Sequence, residues 1–468
     1  GRKLNLKFQI FFGIECAILR RMKWVFAVYS AIVVAVVVHV LRRKRVPSVA
    51  AAWALTVILF PVAGMLLYLL AGYRRREGQA RPEQDRRGRR PLETLLLREC
   101  GSEPTLNNRI SLLHNGNNAF SALIASLQRA SRSIHMEYYI FRDDRIGRTI
   151  SDILMRKARS GVEVRVIYDA IGSWGLSRRA IRCLRDAGVR IFPFRPLRFP
   201  WFRAGVGCRN HRKIVVVDGK TAYLGGINIA KYYLDGDDLG KWRDEHLRIE
   251  GDAVADLQRL FAADWQRVGG GALRVEEYLA GHGVSGQVPI QIAWAEEGPS
   301  RCALTDAFAA AILAARQRVR ICSPYFMPPP LVMDAIRIAA RSGVQVEVMV
   351  PASSDSHFTD LVSESFLTDL LEAGAEVFRY GKGFLHAKLL VVDERVASVG
   401  TANMDYRSLE DNLEVTAFIY HPPTVRSLAE TFDRDRAACT RLDTASWERR
   451  SLWRSVAGDL MRPLAPLL

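Results

Sequence analysis

The sequence predicts an α/β protein of two duplicated lobes, each a mixed sheet flanked by helices, sharing one active site behind an N-terminal two-helix transmembrane hairpin. Three observations predict it. "HRKIVVVD" at 211–218 and "HAKLLVVD" at 386–393 repeat the spacing His-x-Lys-x-x-x-x-Asp, 175 positions apart. Segments of matching pattern recur around them in constant order, at offsets of 182 to 186 positions. Ahead of both stand two apolar runs, 24–41 and 46–73, with no Lys, Arg, Asp or Glu.

The N-terminal region accounts for the charge. Residues 1–90 carry net +14 of the chain's +18, leaving +4 for the other 378 residues. The apolar runs are 18 and 28 residues long, and about 20 residues at ~1.5 Å each cross a bilayer core. A core helix of such length normally keeps a polar face, so 24–73 reads as the hairpin, behind a basic interfacial segment at 1–23. Fourteen Lys and Arg flank the pair of runs and four lie between them. Cations prefer the cytoplasmic side, so both ends and everything after residue 73 are expected there. The opening glycine reads as a trimmed form, with Met22 an alternative start. The Arg-rich stretch 74–91 reads as a linker lying on anionic headgroups.

Beyond it, short apolar runs alternate with helical stretches, dividing into lobes at 92–270 and 271–468. "IHMEYYIF" (134–141), "GVEVRVIYD" (161–169) and "DAGVRIF" (186–192) answer to "RICSPYF" (320–326), "GVQVEVMVP" (343–351) and "EAGAEVF" (372–378). Constant order with drifting offset is an internal duplication, and two lobes about a pseudo-twofold axis can each bring one histidine to a shared site. "FMPPP" at 326–330 reads as a loop opening a helix. Seven scattered cysteines without a C-x-x-C pair indicate neither a disulfide framework nor a zinc site.

If the apolar runs of the motifs are buried strands, His211 with Lys213 and His386 with Lys388 project from one sheet face. Seventeen residues past each histidine come Asn228 in "GGIN" and Asn403 in "GTAN", where small residues let backbone amides approach an anion and the amide side chain adds a donor. Two imidazoles, two ammoniums and two amides suit a phosphodiester, with no metal or cofactor. One imidazole attacks phosphorus while the other moves protons. An imidazole nucleophile needs a carboxylate on its other nitrogen, and Glu414 and Asp244 are the candidates. Asp218 and Asp393 complete the motif but stand at the far ends of their strands, more than ~15 Å away, so a structural role is expected of them. Glu137, matched by Ser323, stands between a supporting carboxylate and a structural ion pair.

These residues resemble the phospholipase D superfamily, whose signature is the duplicated histidine-lysine-aspartate motif, and within it the bacterial cardiolipin synthases. "PVAGMLLYLLAG", "EYYIFRDDRIG", "RNHRKIVVVDG", "WRDEHLRIEG" and "FLHAKLLVVDERVASVGTANMDYRS" carry the resemblance over almost the whole chain. It implies that two phosphatidylglycerol molecules yield cardiolipin and glycerol through a phosphatidyl-histidine, with His211 as nucleophile and His386 as acid and base. The resemblance also implies phospholipid partners at a bacterial inner membrane; the anionic membrane surface is read from 74–91, a homo-oligomer stays open, and no nucleic acid is expected because +4 is too little to neutralise a duplex. The alternative activity is hydrolysis to phosphatidic acid. One departure is Gly226, where related proteins carry Ser or Thr, as Thr401 does in the other half; a hydroxyl contact to phosphate is expected to be lost there.

Overall fold

The computed structural model describes residues 30–31, 33–35, 38, 47–68, 90–196, 207–279, 286–296 and 303–467. The chain divides into two compact units, Gly1–Arg74 and Arg75–Leu468. In the first, the run expected as one continuous helix is two, Pro47–Leu59 and Pro61–Leu67. Proline at 61 has no N–H to give and its ring crowds the preceding turn. The Trp53 and Tyr68 rings meet edge to face at 5.3 Å, although fifteen residues of straight helix would span about 22 Å. Among the described residues no helix is long and apolar enough to cross a membrane, and the run at 24–41 lies largely outside them.

The second unit holds two large sheets of the same design. The first takes β1 (Asn108–His114), β2 (Ser133–Tyr138), β3 (Glu163–Asp169), β4 (Arg190–Phe194), β5 (Lys213–Val217), β6 (Thr221–Gly225) and β8 (Glu245–Gly251), in the order β1-β8-β6-β5-β2-β3-β4. The second takes β9 (Ile290–Ala295), β10 (Arg318–Cys322), β12 (Gln345–Pro351), β13 (Glu376–Tyr380), β15 (Leu389–Val392), β16 (Val396–Gly400), β18 (Glu414–Ile419) and β19 (Cys439–Arg441), in the order β19-β13-β12-β10-β15-β16-β18-β9. Apart from β19 the orders superimpose. Both sheets are mixed: β2-β3-β4 and β10-β12-β13 run parallel, joined by helices, while the motif strands β5 and β15 pair antiparallel.

The motif strands are apolar throughout because both faces are covered. Alternate residues of β5 split: Val215 and Val217 enter a core with helices Asn115–Arg129 and Arg145–Arg159. Ile214 and Val216 meet Leu389, Val391, Ala397 and Val399 of the other sheet. The two sheets thus pack face to face, and the loops at one end of that interface form the seam. There β7 (Trp242–Arg243) of one half pairs with β14 (Phe384–Leu385) of the other, and Asn210 bridges Leu413. "FMPPP" becomes β11 (Phe326–Met327), paired with β17 (Met404–Asp405), followed by the helix Pro330–Arg341 with proline in its first turn.

Candidate active site

β5 begins at Lys213 and β15 at Leu389, so His211 and His386 stand just before their strands rather than within them. The reason is an exchange across the seam. The His211 N–H donates to Leu413 O at 3.0 Å and its Nδ1 lies 2.7 Å from Glu414 Oε1. The His386 N–H donates to Arg243 O at 2.7 Å and its Nδ1 lies 2.6 Å from Asp244 Oδ2. Each half's histidine is therefore held, backbone and ring, by two consecutive residues of the other half. Glu414 and Asp244 occupy equivalent places: Val415 O accepts from Thr401 N–H as Glu245 O accepts from Gly226 N–H.

A carboxylate beside Nδ1 accepts a hydrogen bond from the Nδ1–H and leaves the Nε2 lone pair free. Both rings are buried, which lowers their pKa. For His211 burial outweighs the opposing pull of Glu414; for His386 burial is joined by the charges of Lys388, Lys213 and His211 and pushes it well below its ordinary value. Both imidazoles are therefore neutral at pH 7. Lys213 Nζ donates to His211 O at 2.7 Å, and Lys388 Nζ donates to His386 O. Lys388 Nζ also stands 2.9 Å from His386 Nδ1, but that nitrogen's proton already points at Asp244, so the ammonium's other protons are open to a ligand. Burial lowers Lys213 to about 7 and Lys388 to about 8.

The carboxylates differ. For Glu414 burial opposes ionisation, but His211, Lys213 and the Thr401 hydroxyl, which donates to it, outweigh burial and hold it below its ordinary range. Burial raises Asp244 to about 6 despite Lys388 and the Glu245 N–H. Gly226 explains the missing hydroxyl: a Cβ there would overlap the Asp244 carboxylate. The expected hydroxyl contact to phosphate is instead, at Thr401, a contact to the carboxylate behind His211. The amides of Gly226 and Thr401 are likewise committed to neighbouring strands rather than turned to an anion.

Asn228 Oδ1 accepts from Ile140 N–H and its Nδ2 donates to Tyr233 Oη, which stands 3.3 Å from His386 Nδ1. Asn403 is buried, its Oδ1 without a hydrogen-bond partner. Asp218 accepts from the backbone N–H groups of Ser131, Arg132 and Ser133, and Asp393 from those of Arg316, Gln317 and Arg318. Both sit beyond the far ends of β5 and β15, where they hold the starts of β2 and β10; the structure does not bring them to the histidines.

Sequence reasoning missed the walls. Tyr139 meets the His211 ring edge-on at 4.8 Å; Trp242, Tyr233 and Phe384 surround His386 with centroids 5.1 to 5.8 Å away. It also missed most of a buried polar layer beneath His211, of which only Glu137 had been singled out. Arg209 grips Asp169, Arg212 donates to Asp264, and Asn210 donates to Glu137. Burial and the adjacent Asp264 raise Glu137 well above its ordinary value, so it is a neutral acid in this layer. The polar residues flanking the motif, "RNHRK", were the available signal.

The family model described as cardiolipin synthase, phospholipase D-like domain, matches residues 123–265 and 308–436. A cardiolipin synthase of Geobacillus sp. (strain WCH70) is 37% identical over 465 residues, 94% of this chain and 92% of that protein. The chain belongs to the bacterial cardiolipin synthases of the phospholipase D superfamily. Cardiolipin synthase 2 of Bacillus anthracis is also 37% identical, over 91% of this chain and 88% of its own. A second family model, described as phospholipase D-nuclease N-terminal, matches residues 31–72, so the apolar region is part of what this cardiolipin synthase family member shares with others. The phosphatidylserine synthase of Haemophilus influenzae has the same fold, with a TM-score of 0.59 at 18% identity, covering 78% of this chain and 95% of that one.

Proposed function

We propose that the protein is a membrane-bound phosphatidyltransferase that makes cardiolipin from two phosphatidylglycerol molecules and releases glycerol. The observation that carries the mechanism is the crossed pair: two neutral imidazoles, each with Nδ1 held by a carboxylate of the opposite half, beside two buried lysines. His211 Nε2 attacks phosphorus and the bond to the glycerol oxygen breaks. His386, protonated on Nε2 once the anionic phosphodiester raises its pKa, gives that proton to the leaving oxygen. His386 then takes the proton of a glycerol hydroxyl on the second phosphatidylglycerol. That oxygen attacks phosphorus, the P–N bond breaks and His211 is regenerated.

Glu414 supports His211 as the nucleophile: a firmly ionised carboxylate stabilises the cationic phosphatidyl-imidazole better than Asp244 would. Lys213, Lys388, Asn228 and Asn403 hold the equatorial oxygens. Residues 24–73 anchor the chain as a hairpin and 74–91 link it to lobes at 92–270 and 271–468 on the cytoplasmic side; the uncharged runs, their cationic flanks and the N-terminal family match support this. Purified full-length protein given labelled phosphatidylglycerol should yield cardiolipin and glycerol in equal amounts. Phosphatidic acid as the main product would sink the transferase reading.

A further inference from the structure

The C-terminal helix Leu452–Met461 is amphipathic the wrong way round for a helix packed on a protein. Leu452, Trp453, Val456 and Leu460 are 75, 84, 48 and 75% exposed, and at about 100° per residue they fall within one arc of about 100°. The opposite face is small and polar and docks on helix His357–Glu372. Gly458 is buried, with room for little more than its hydrogen against Leu361 O. Arg454 pairs with Glu364, and Arg462, the next residue after the helix, with Asp369. Ion pairs and a close backbone approach fix the helix on the lobe, and what they present outward is leucine and tryptophan.

The site's mouth carries the same kind of residue. Trp174, 81% exposed, lies in the loop after β3, and that loop touches Tyr139 through Ser173. Phe358 opens the helix after β12, and Leu331 opens the one after β11, whose partner β17 directly follows Asn403. Both are exposed. Arg454 lines a cavity with Tyr325 and His357, joining the C-terminal helix to the same end of the second sheet.

We propose that this face is a bilayer-docking surface: the helix at 452–461 lies in the headgroup region of an anionic membrane and, with Trp174, Phe358 and Leu331, sets the mouth of the site against the lipids it draws from. Tryptophan and leucine beside exposed Arg449 form an interfacial pattern. A protein partner fits less well, since four side chains on a ten-residue helix fall far short of the roughly 20 to 30 residues a side of a stable interface. The inference rests on the lipid-transfer reading above.

The test uses full-length protein reconstituted in phosphatidylglycerol vesicles, with the triple variant Leu452→Ser, Trp453→Ser, Leu460→Ser. Transfer from vesicle lipid should fall about tenfold while turnover of short-chain phosphatidylglycerol below its micelle concentration stays unchanged. Equal losses on both substrates, or none on either, would overturn the proposal. Brominated lipids should quench a tryptophan component that Trp453→Phe removes. Its absence, whether another segment of the chain or a second copy covers the helix, would overturn it too. If the unaltered protein turned over neither substrate, the transferase reading would fail, while the quenching would still report on docking.

Discussion

The two halves hold their histidines alike and charge them differently. His211 leans on Glu414, which Thr401 helps keep ionised; His386 leans on Asp244, which fills the space a Cβ at residue 226 would take and which burial raises to about 6. A duplicated fold gave two sites of one geometry, and a few substitutions turned them into unequal partners. On the proposed mechanism, symmetry delivers two imidazoles to one phosphorus, and asymmetry lets one attack while the other moves protons.

The strongest break in that comparison is at the rings. His211→Ala and His386→Ala should each lower transfer by a factor of about 100 to 10,000 or more. Only His386→Ala should accumulate protein-bound phosphatidyl, visible by intact-protein mass spectrometry; the adduct appearing in His211→Ala instead would exchange the roles. Next come the carboxylates: Glu414→Gln should cost about 100-fold, and Asp244→Asn less, because an amide cannot hold the imidazolium as an ionised carboxylate does. Equal losses in steady-state assays would remove the distinction between the halves.

Gly226→Thr should impair more than Thr401→Gly. The first displaces Asp244 from His386, whereas the second removes one hydroxyl from Glu414; parallel kinetics on the two variants checks the order. Acid and base sharpen the contrast further. Lys213 and Lys388, lowered to about 7 and about 8, lose their protons as pH rises, so kcat/KM should decline through that range. Stability should move the other way. Between those values and the ordinary 10.5 of lysine the unfolded chain binds more protons than the folded one, so melting temperature should gain from pH 7 to 9, and less in Lys213→Met. The smallest effect on catalysis belongs to Asp218→Asn and Asp393→Asn. Each should leave turnover per folded molecule unchanged while removing about 1 to 3 kcal/mol of stability, read by denaturant unfolding.

The duplication, the mixed sheets and the residues that meet at the site were legible because they repeat, and because buried strands must be apolar wherever both faces are covered. The six strand segments read from pattern recur as β2, β3, β4, β10, β12 and β13, shifted by a few residues. The exchange of carboxylates was not legible. "KWRDEH" and "EDNLEV" show an acid near each motif, but which histidine it reaches depends on how Leu413 and Arg243 line the seam, a fact of packing rather than spacing. The break at Pro61 was visible as a proline inside an apolar run; length and hydropathy masked it. Tyr139 and Trp242 look like ordinary core aromatics until the imidazoles they flank are placed.

The crossing of histidines between halves also bears on synthesis at the ribosome. A nascent chain that has emerged only through residue 270 holds an imidazole whose carboxylate has not yet been made. On the proposed mechanism, lipid cleavage would wait for the strand that begins at Glu414, so a growing or truncated polypeptide would be chemically silent.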